Sequence, residues 1–236
     1  MSQEVLYLCL STSTAGKTMQ DRYKMTREQN IFVAKRNIVD YIYRSAKLER
    51  INVTFPATQA IYDGMCVNGI KVADVIKINN IKRAWYYLLD TLDTPNNFDY
   101  LCRINMIIGG DGSIYGAGKV RAYDVKITGT WQPQIPDKYN VIQEMMNILT
   151  VSNTTERSIM LMLWVMRRQI FIDGNKRTAM LVANKEMIVG GAGIISISAE
   201  LIEQFYTLLL SYYETGDMIK ISNFIYNNCI DGINFD

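Results

Sequence analysis

The sequence predicts an all-α, mainly helical fold with one small β-hairpin, on three observations. Two segments, Ile159 to Met166 and Ala179 to Val189, are strongly apolar and built from helix-forming residues rather than β-branched runs, so they read as buried helices. Four further stretches carry apolar residues at helical spacing. A single stretch, Tyr123 to Thr128, alternates apolar and polar residues as a strand does, with Gly129 as a turn and Trp131 to Pro136 returning extended.

Leu6 to Met19 mixes Ser, Thr, Gly and Lys after an apolar start and reads as an N-terminal arm over 1–25, irregular or edge-pairing. Thr26 caps a helix, with Gln29 as its capping-box partner, that runs to about Ser45–Arg50. Thr54 and Pro56 open a short helix. A longer one follows from about Val72 to Leu92, with Ile78, Ile81, Ala84, Trp85 and Leu88 on its apolar face and Trp85 and Tyr86 read as core. Phe98 to Ile108 is helical, and Gly109 to Gly112 is loop. Lys138 to Thr150 is an amphipathic helix. Gly190 to Gly193 ends the second buried helix, Ile194 to Ile197 is extended, Ser198 caps a helix to about Glu214, and a last helix holds Ile225 and Tyr226. Residues 26–236 are expected to form one domain.

A chain of 236 residues with 49% hydrophobic and 20% charged residues has the composition of a globular protein with a real core. A net charge of +2 gives no ground for a nucleic-acid or membrane partner. Cys9, Cys66, Cys102 and Cys229 form no C-x-x-C pair, there is no histidine to complete a zinc site, and the thiols read as reduced and the location as cytoplasmic. Glu4 stands where a secretory leader would be positive, and no run approaches the roughly 18 apolar residues of a membrane span.

The informative stretch is Gln169-Ile170-Phe171-Ile172-Asp173-Gly174-Asn175-Lys176-Arg177-Thr178, a short polar loop between the two buried helices. A helix start presents unpaired N–H groups and the positive end of the macrodipole. Lys176 and Arg177 add charge there, so the site suits a phosphate, and Asp173 can hold a hard cation such as Mg²⁺ together with phosphate oxygens. The same residues also fit an ordinary turn with a solvated basic pair. The glycine spacing of a Walker loop is absent.

In register, Phe171, Asp173, Gly174, Asn175, Lys176 and Arg177 resemble the signature loop of the Fic/Doc (Fido) family, His-x-Phe-x-(Asp/Glu)-(Gly/Ala)-Asn-(Gly/Lys)-Arg. The resemblance implies a helical core and transfer of AMP from ATP, with Mg²⁺, to a hydroxyl of a protein target. It implies that Asp173 places the metal, that Gly174, Asn175, Lys176 and Arg177 hold phosphate, and that Phe171 anchors the loop. Gly116-Ala117-Gly118-Lys119-Val120-Arg121 resembles the family's Gly-x-x-Arg element leading into a flap, here Val125, Ile127, Thr128, Gly129 and Thr130, that docks the target by strand addition. Ser45 and Glu49, on a helix at about 38–50, resemble the family's regulatory motif, whose Glu lies over the ATP site. Arg50 replaces the usual Gly or Asn there, and Met180 replaces a second arginine. An inhibitory Glu49 must therefore pair with Arg177 or Lys176; the other reading is a solvated helix-face Glu. Tyr213 and Asn223 are candidates for the adenine pocket.

The departure is at the catalytic position. The family histidine falls on Gln169, and the chain contains no histidine. An amide has no usable basicity near neutral pH. Three readings follow: a nucleotide-binding transferase with weakened or altered activity, a catalytically inactive nucleotide-binding regulator of a partner protein, and a Doc-like phosphoryl transferase. A homodimer stays open.

Overall fold

The structure is a computed structural model that describes residues 19–110 and 112–235. The N-terminal arm expected over 1–25 therefore lies outside the described residues as far as residue 18. The chain order is α1 (Arg27–Arg36), α2 (Ile38–Leu48), α3 (Phe55–Tyr62), α4 (Val72–Asp90), α5 (Phe98–Ile108), α6 (Lys138–Leu149), α7 (Thr154–Arg168), α8 (Asn175–Val189), strand β1 (Ile194–Ile195), a 3₁₀ turn (Ala199–Leu201), α9 (Ile202–Thr215), α10 (Ile219–Asn228) and strand β2 (Ile230–Asp231). No helix among the described residues is long and apolar enough to cross a membrane.

Helix α8 is the centre of the body. All its residues except Lys176, Glu186 and Val189 are buried. It packs along α7 and touches α1, α4, α5 and β1. Helix α7 is apolar on most sides for the same reason: Ile159 to Leu163, Val165 and Met166 are all covered. Buried amides join segments that share no ladder. Asn184 exchanges two hydrogen bonds with Ile195, at 2.9 and 2.7 Å. Asn30 does the same with Gly193, at 3.2 and 2.8 Å. Each buried backbone group met in this way avoids the desolvation penalty of an unpaired one.

The caps agree with their local chemistry. Gln29 N–H donates to Thr26 Oγ1 at 3.2 Å and Thr26 N–H to Gln29 Oε1 at 2.8 Å. Thr54 accepts from Ala57 N–H, ahead of Pro56. The single helix expected from Thr26 to about Ser45–Arg50 is instead two, broken at Asn37, whose φ of −107° and ψ of 14° leave the helical region. Asn is a weak helix former followed here by β-branched Ile38 and Val39, so the break falls where propensity is lowest. Trp85 is core, stacked on Tyr41 at 5.7 Å. Tyr86, also read as core, is 40% exposed and shares a 2.7 Å hydroxyl hydrogen bond with Tyr62.

The hairpin differs most from expectation. The β ladder among the described residues joins β1 to β2, antiparallel, with Ile194 opposite Asp231. Residues 122–136 run without a ladder on either side of Gly129. Side chains fix the segment instead. At its base the buried Arg121 guanidinium donates to the carbonyls of Gln169 (2.6 Å), Tyr123 (2.7 Å), Pro133 (3.1 Å) and Gln134 (2.6 Å). At its tip the Glu214 carboxylate accepts from Thr130 N–H (2.6 Å), Thr130 Oγ1 (2.8 Å) and Trp131 N–H (3.1 Å), which holds that carboxyl below the usual range. The alternation of Tyr123 to Thr128 thus reports two faces of an extended segment, while its polar backbone is partly met by charged side chains rather than by a second strand.

Two outcomes follow from these contacts. Arg121→Ala leaves four carbonyls without their donor and is expected to destabilise the fold by about 2–4 kcal/mol and to open 122–136 to limited proteolysis. Lys185 is 1% exposed, with its ammonium 4.2 Å from the Tyr100 ring centroid and donating to the Thr91 carbonyl. Burial pushes its pKa down to about 8. The unfolded chain, near ~10.4, holds the extra proton between these two values, so this group makes stability rise with pH across that window. Lys185→Met should remove that rise, read as the wild-type minus variant difference in urea unfolding from pH 7 to 10.

Candidate functional site

The loop between α7 and α8 is shaped by buried polar side chains. Helix α7 ends at Gln169 in a left-handed conformation, φ 48° and ψ 58°. That turns its carbonyl to the Arg121 guanidinium, while Arg121 N–H donates to the Ile170 carbonyl at 3.0 Å. Asn175, 4% exposed, accepts from Phe171 N–H at 3.0 Å and donates to the Phe171 carbonyl at 2.8 Å and to Gln169 Oε1 at 3.0 Å. Asn105, on α5, donates to the Asp173 carbonyl (3.0 Å) and Thr178 Oγ1 (3.1 Å), and accepts from Gly118 N–H (2.8 Å). Phe171 is 1% exposed, in the core. Gly174 has φ +79°, which favours glycine, and a Cβ there would be tight, 3.0 Å from Ile108 Cγ2.

A cavity of about 530 Å³ opens beside this loop. Gln169, Ile172, Asp173, Asn175 and Lys176 form one wall, and Val125, Lys126, Ile127 and Thr128 of the flap form a second. Glu49 and Arg50 from the end of α2 form a third, and Glu203, Tyr206, Thr207, Leu209, Leu210 and Tyr213 of α9 a fourth. The volume is within the range of small-molecule sites. Gly129 and Thr130 are held at the flap tip by Glu214 and do not line it. Ser45 and Asn223 do not line it either.

Charge at the mouth is arranged around Glu49. Its carboxylate lies 3.6 Å from Lys176 Nζ and 3.5 Å from Arg177 Nε. The Arg177 side chain is 3% exposed beneath it, and Arg177 Nη2 is 3.5 Å from Asp173 Oδ1. The Glu49 contacts are charge contacts of poor hydrogen-bond geometry, while Arg177 Nη2 donates a long hydrogen bond to Asp173 Oδ1; among the described residues Arg177 Nε and Nη1 are buried with no hydrogen-bond acceptor. Helix α8 has Gly174 at its N-cap and no side-chain cap, so its first N–H groups are also uncapped. Met180 is 6% exposed, away from the cavity.

The Gln169 amide donates to the Met166 carbonyl at 2.6 Å and accepts from Asn175, so it is used on both sides. Burial pushes the Tyr213 phenol well above its ordinary value, which keeps it protonated. Trp131 lies 5.9 Å from Tyr213 and 4.4 Å from the Arg167 guanidinium, tying the flap to α7 and α9. Arg167, Tyr206, Glu214 and Asn105 were not singled out from sequence. A buried Asn on the apolar helix Phe98–Ile108 was the one local signal among them.

The residues present fit a nucleotide phosphate with a divalent cation. Arg177 has unsatisfied donors, the start of α8 offers N–H groups, and the Asp173 side chain is 60% exposed beside them. Among the described residues no group of three or more His, Cys, Asp or Glu could hold a metal by itself. One carboxylate is what a Mg²⁺ ion shared with phosphate oxygens requires.

No curated protein matches the sequence. Among solved structures, the chain is similar to a fragment of Fic-1 from C. elegans, at TM-score 0.72 and 16% identity over 96% of this chain and 68% of that one. It is similar to a Fic-domain-containing signalling protein from Bacteroides thetaiotaomicron, at TM-score 0.70 and 15% identity over 96% and 92%. A Fic family protein from Desulfovibrio desulfuricans aligns at TM-score 0.67 and 15% identity over 95% and 69%. These identities speak for the fold. Residues 95–187, which include the whole α7–loop–α8 unit, match the model of the Fic/DOC family. The signature loop and the matched segment 95–187 are thus similar to the Fic/DOC family, and the chain as a whole shares the mainly helical fold of Fic-domain structures.

Proposed function

We propose that the protein binds a nucleoside triphosphate, with ATP and Mg²⁺ as the reference ligand, at the loop between α7 and α8. The observation that carries this is the buried Arg177 guanidinium, whose Nε and Nη1 lack an acceptor among the described residues and whose carboxylate neighbours, Glu49 and Asp173, stand no closer than 3.5 Å. A bidentate phosphate oxygen pair is the acceptor such a fork takes best. Asn175 and Lys176 N–H groups would cradle the same anion, Lys176 would add a point charge, and Asp173 would hold the cation. Bound Mg²⁺ would neutralise charge on the phosphates. Ligand entry to Arg177 requires Glu49 to move aside, since Glu49 covers it.

For AMP transfer to a protein hydroxyl, the flap residues Val125, Ile127 and Thr128 would place the acceptor beside the loop. The step that this chain handles poorly is removal of the acceptor proton. Gln169 carries no base, its amide is engaged by Met166 and Asn175, and Tyr213 stays protonated. Loss of a general base slows such a step by about 10²- to 10⁴-fold. The doubly bonded amide favours a second reading, a nucleotide-binding regulator of a partner protein with no turnover. A cytoplasmic location is the setting we propose for either. Phosphoryl transfer ranks last, because no observation at the site favours it.

Asp173→Ala and Arg177→Ala are each expected to weaken Mg·ATP binding by about tenfold or more in calorimetry, with the helical circular dichroism retained. Unchanged affinity in both variants overturns the cradle. Transfer of label from α-phosphate-labelled ATP to protein in a lysate separates the two functional readings. Slow labelling by the wild type, enhanced in Gln169→His, supports a weakened transferase; labelling by Gln169→His alone supports the regulator.

A further inference from the structure

Two non-glycine residues among the described ones have positive φ, Gln169 at 48° and Arg50 at 57°, and both line the same cavity. Strained backbone persists only where its surroundings hold it, and it gathers at sites that do something. The Arg50 turn ends α2 in a Schellman arrangement. Ile51 N–H donates to the Ala46 carbonyl at 3.0 Å, and Arg50 N–H to the Lys47 carbonyl at 2.8 Å. The left-handed residue of such a turn is usually glycine, because a Cβ is unfavourable there. An arginine is therefore disfavoured by the backbone and must be held by its side chain.

Helix α9 supplies the hold. The Arg50 guanidinium lies 4.9 Å from the Tyr206 ring centroid. The Tyr206 hydroxyl donates to the Leu48 carbonyl, two residues earlier. Burial raises the Tyr206 phenol above its ordinary value, so it remains a donor at neutral pH. Between Leu48 and Arg50 lies Glu49, whose carboxylate covers Lys176 and Arg177. The turn is thus fastened to α9 on both sides of the residue that closes the anion site.

We infer that Arg50 and Tyr206 are positioning residues that clamp Glu49 over Lys176 and Arg177, so that release of this turn from α9 governs access of nucleotide phosphates to the site. The inference rests on the reading of Lys176 and Arg177 as the phosphate site. The clamp stores a conflict: the backbone at Arg50 favours leaving the left-handed region, and the stack on Tyr206 prevents it. Removing the stack while keeping the Cβ should open the turn. Removing both should leave the turn closed, because glycine accepts that conformation.

The test is Mg·ATP affinity by calorimetry for wild type, Arg50→Ala, Arg50→Gly, Glu49→Gly and the double variant Glu49→Gly/Arg50→Ala. Arg50→Ala is expected to raise affinity about two- to fivefold, the size of an exposed cation–π stack. Arg50→Gly should raise it less than Arg50→Ala, Glu49→Gly more than either, and Arg50→Ala should add nothing in the Glu49→Gly background. A gain in Glu49→Gly with none in Arg50→Ala overturns the clamp and leaves the phosphate site standing. Equal losses in Arg50→Ala and Arg50→Gly also overturn it, and make Arg50 a direct ligand of the nucleotide. No Mg·ATP binding by wild type or Glu49→Gly overturns the clamp together with the phosphate reading.

Discussion

A loop can be buried between two core helices only if its peptide groups find partners there, and the hydrogen bonds of Asn175, Asn105 and Arg121 meet that condition. Asn175 closes the loop on itself by bonding both backbone groups of Phe171. Asn105 ties it to α5, and Arg121 ties its first residues to the base of the flap. The apolar packing of α7 and α8 then brings Phe171 inward and leaves the Asp173 carboxylate outward. Without these three side chains the same helices could pack, but the loop between them would have no single shape.

The electrostatics of the site follow from that shape. The start of α8 gathers Lys176, Arg177 and the helix N-terminus in one place, a concentration of positive charge that needs an anion. In this structure Glu49 provides one, at 3.5–3.6 Å and with poor hydrogen-bond geometry. A charge contact that leaves donors unsatisfied is a weaker occupant than a phosphate that meets them, which makes exchange of one for the other energetically reasonable. The turn that carries Glu49 is short, strained at Arg50 and fastened to α9 through Tyr206, so the site can be closed without being sealed.

The flap has a similar character. Residues 122–136 are pinned at the base by Arg121 and at the tip by Glu214, with no ladder between. An extended segment whose backbone is not committed to a neighbouring strand retains groups for an incoming one. Trp131, close to Arg167 and Tyr213, ties this segment to α7 and α9.

The chain itself made the helices legible, because apolar periodicity and caps such as Thr26 and Thr54 are properties of neighbouring residues. It also determined the chemistry available at the loop, since Asp173, Gly174, Asn175, Lys176 and Arg177 are consecutive and Gln169 is visibly no base. Local pattern misled at Asn37, where one helix is two, at Tyr86, which faces outward, and at the flap, where alternation does not reveal whether a partner strand exists. Packing in three dimensions is what makes Arg121 meet four carbonyls, Asn105 reach the loop, and Glu49 rest on Lys176 and Arg177 while Arg50 lies on Tyr206. Apart from Arg121–Tyr123, those contacts join residues from 12 to 156 positions apart, from Arg121–Pro133 to Arg50–Tyr206. They depend on where the packed helices bring side chains together, which no local spacing records.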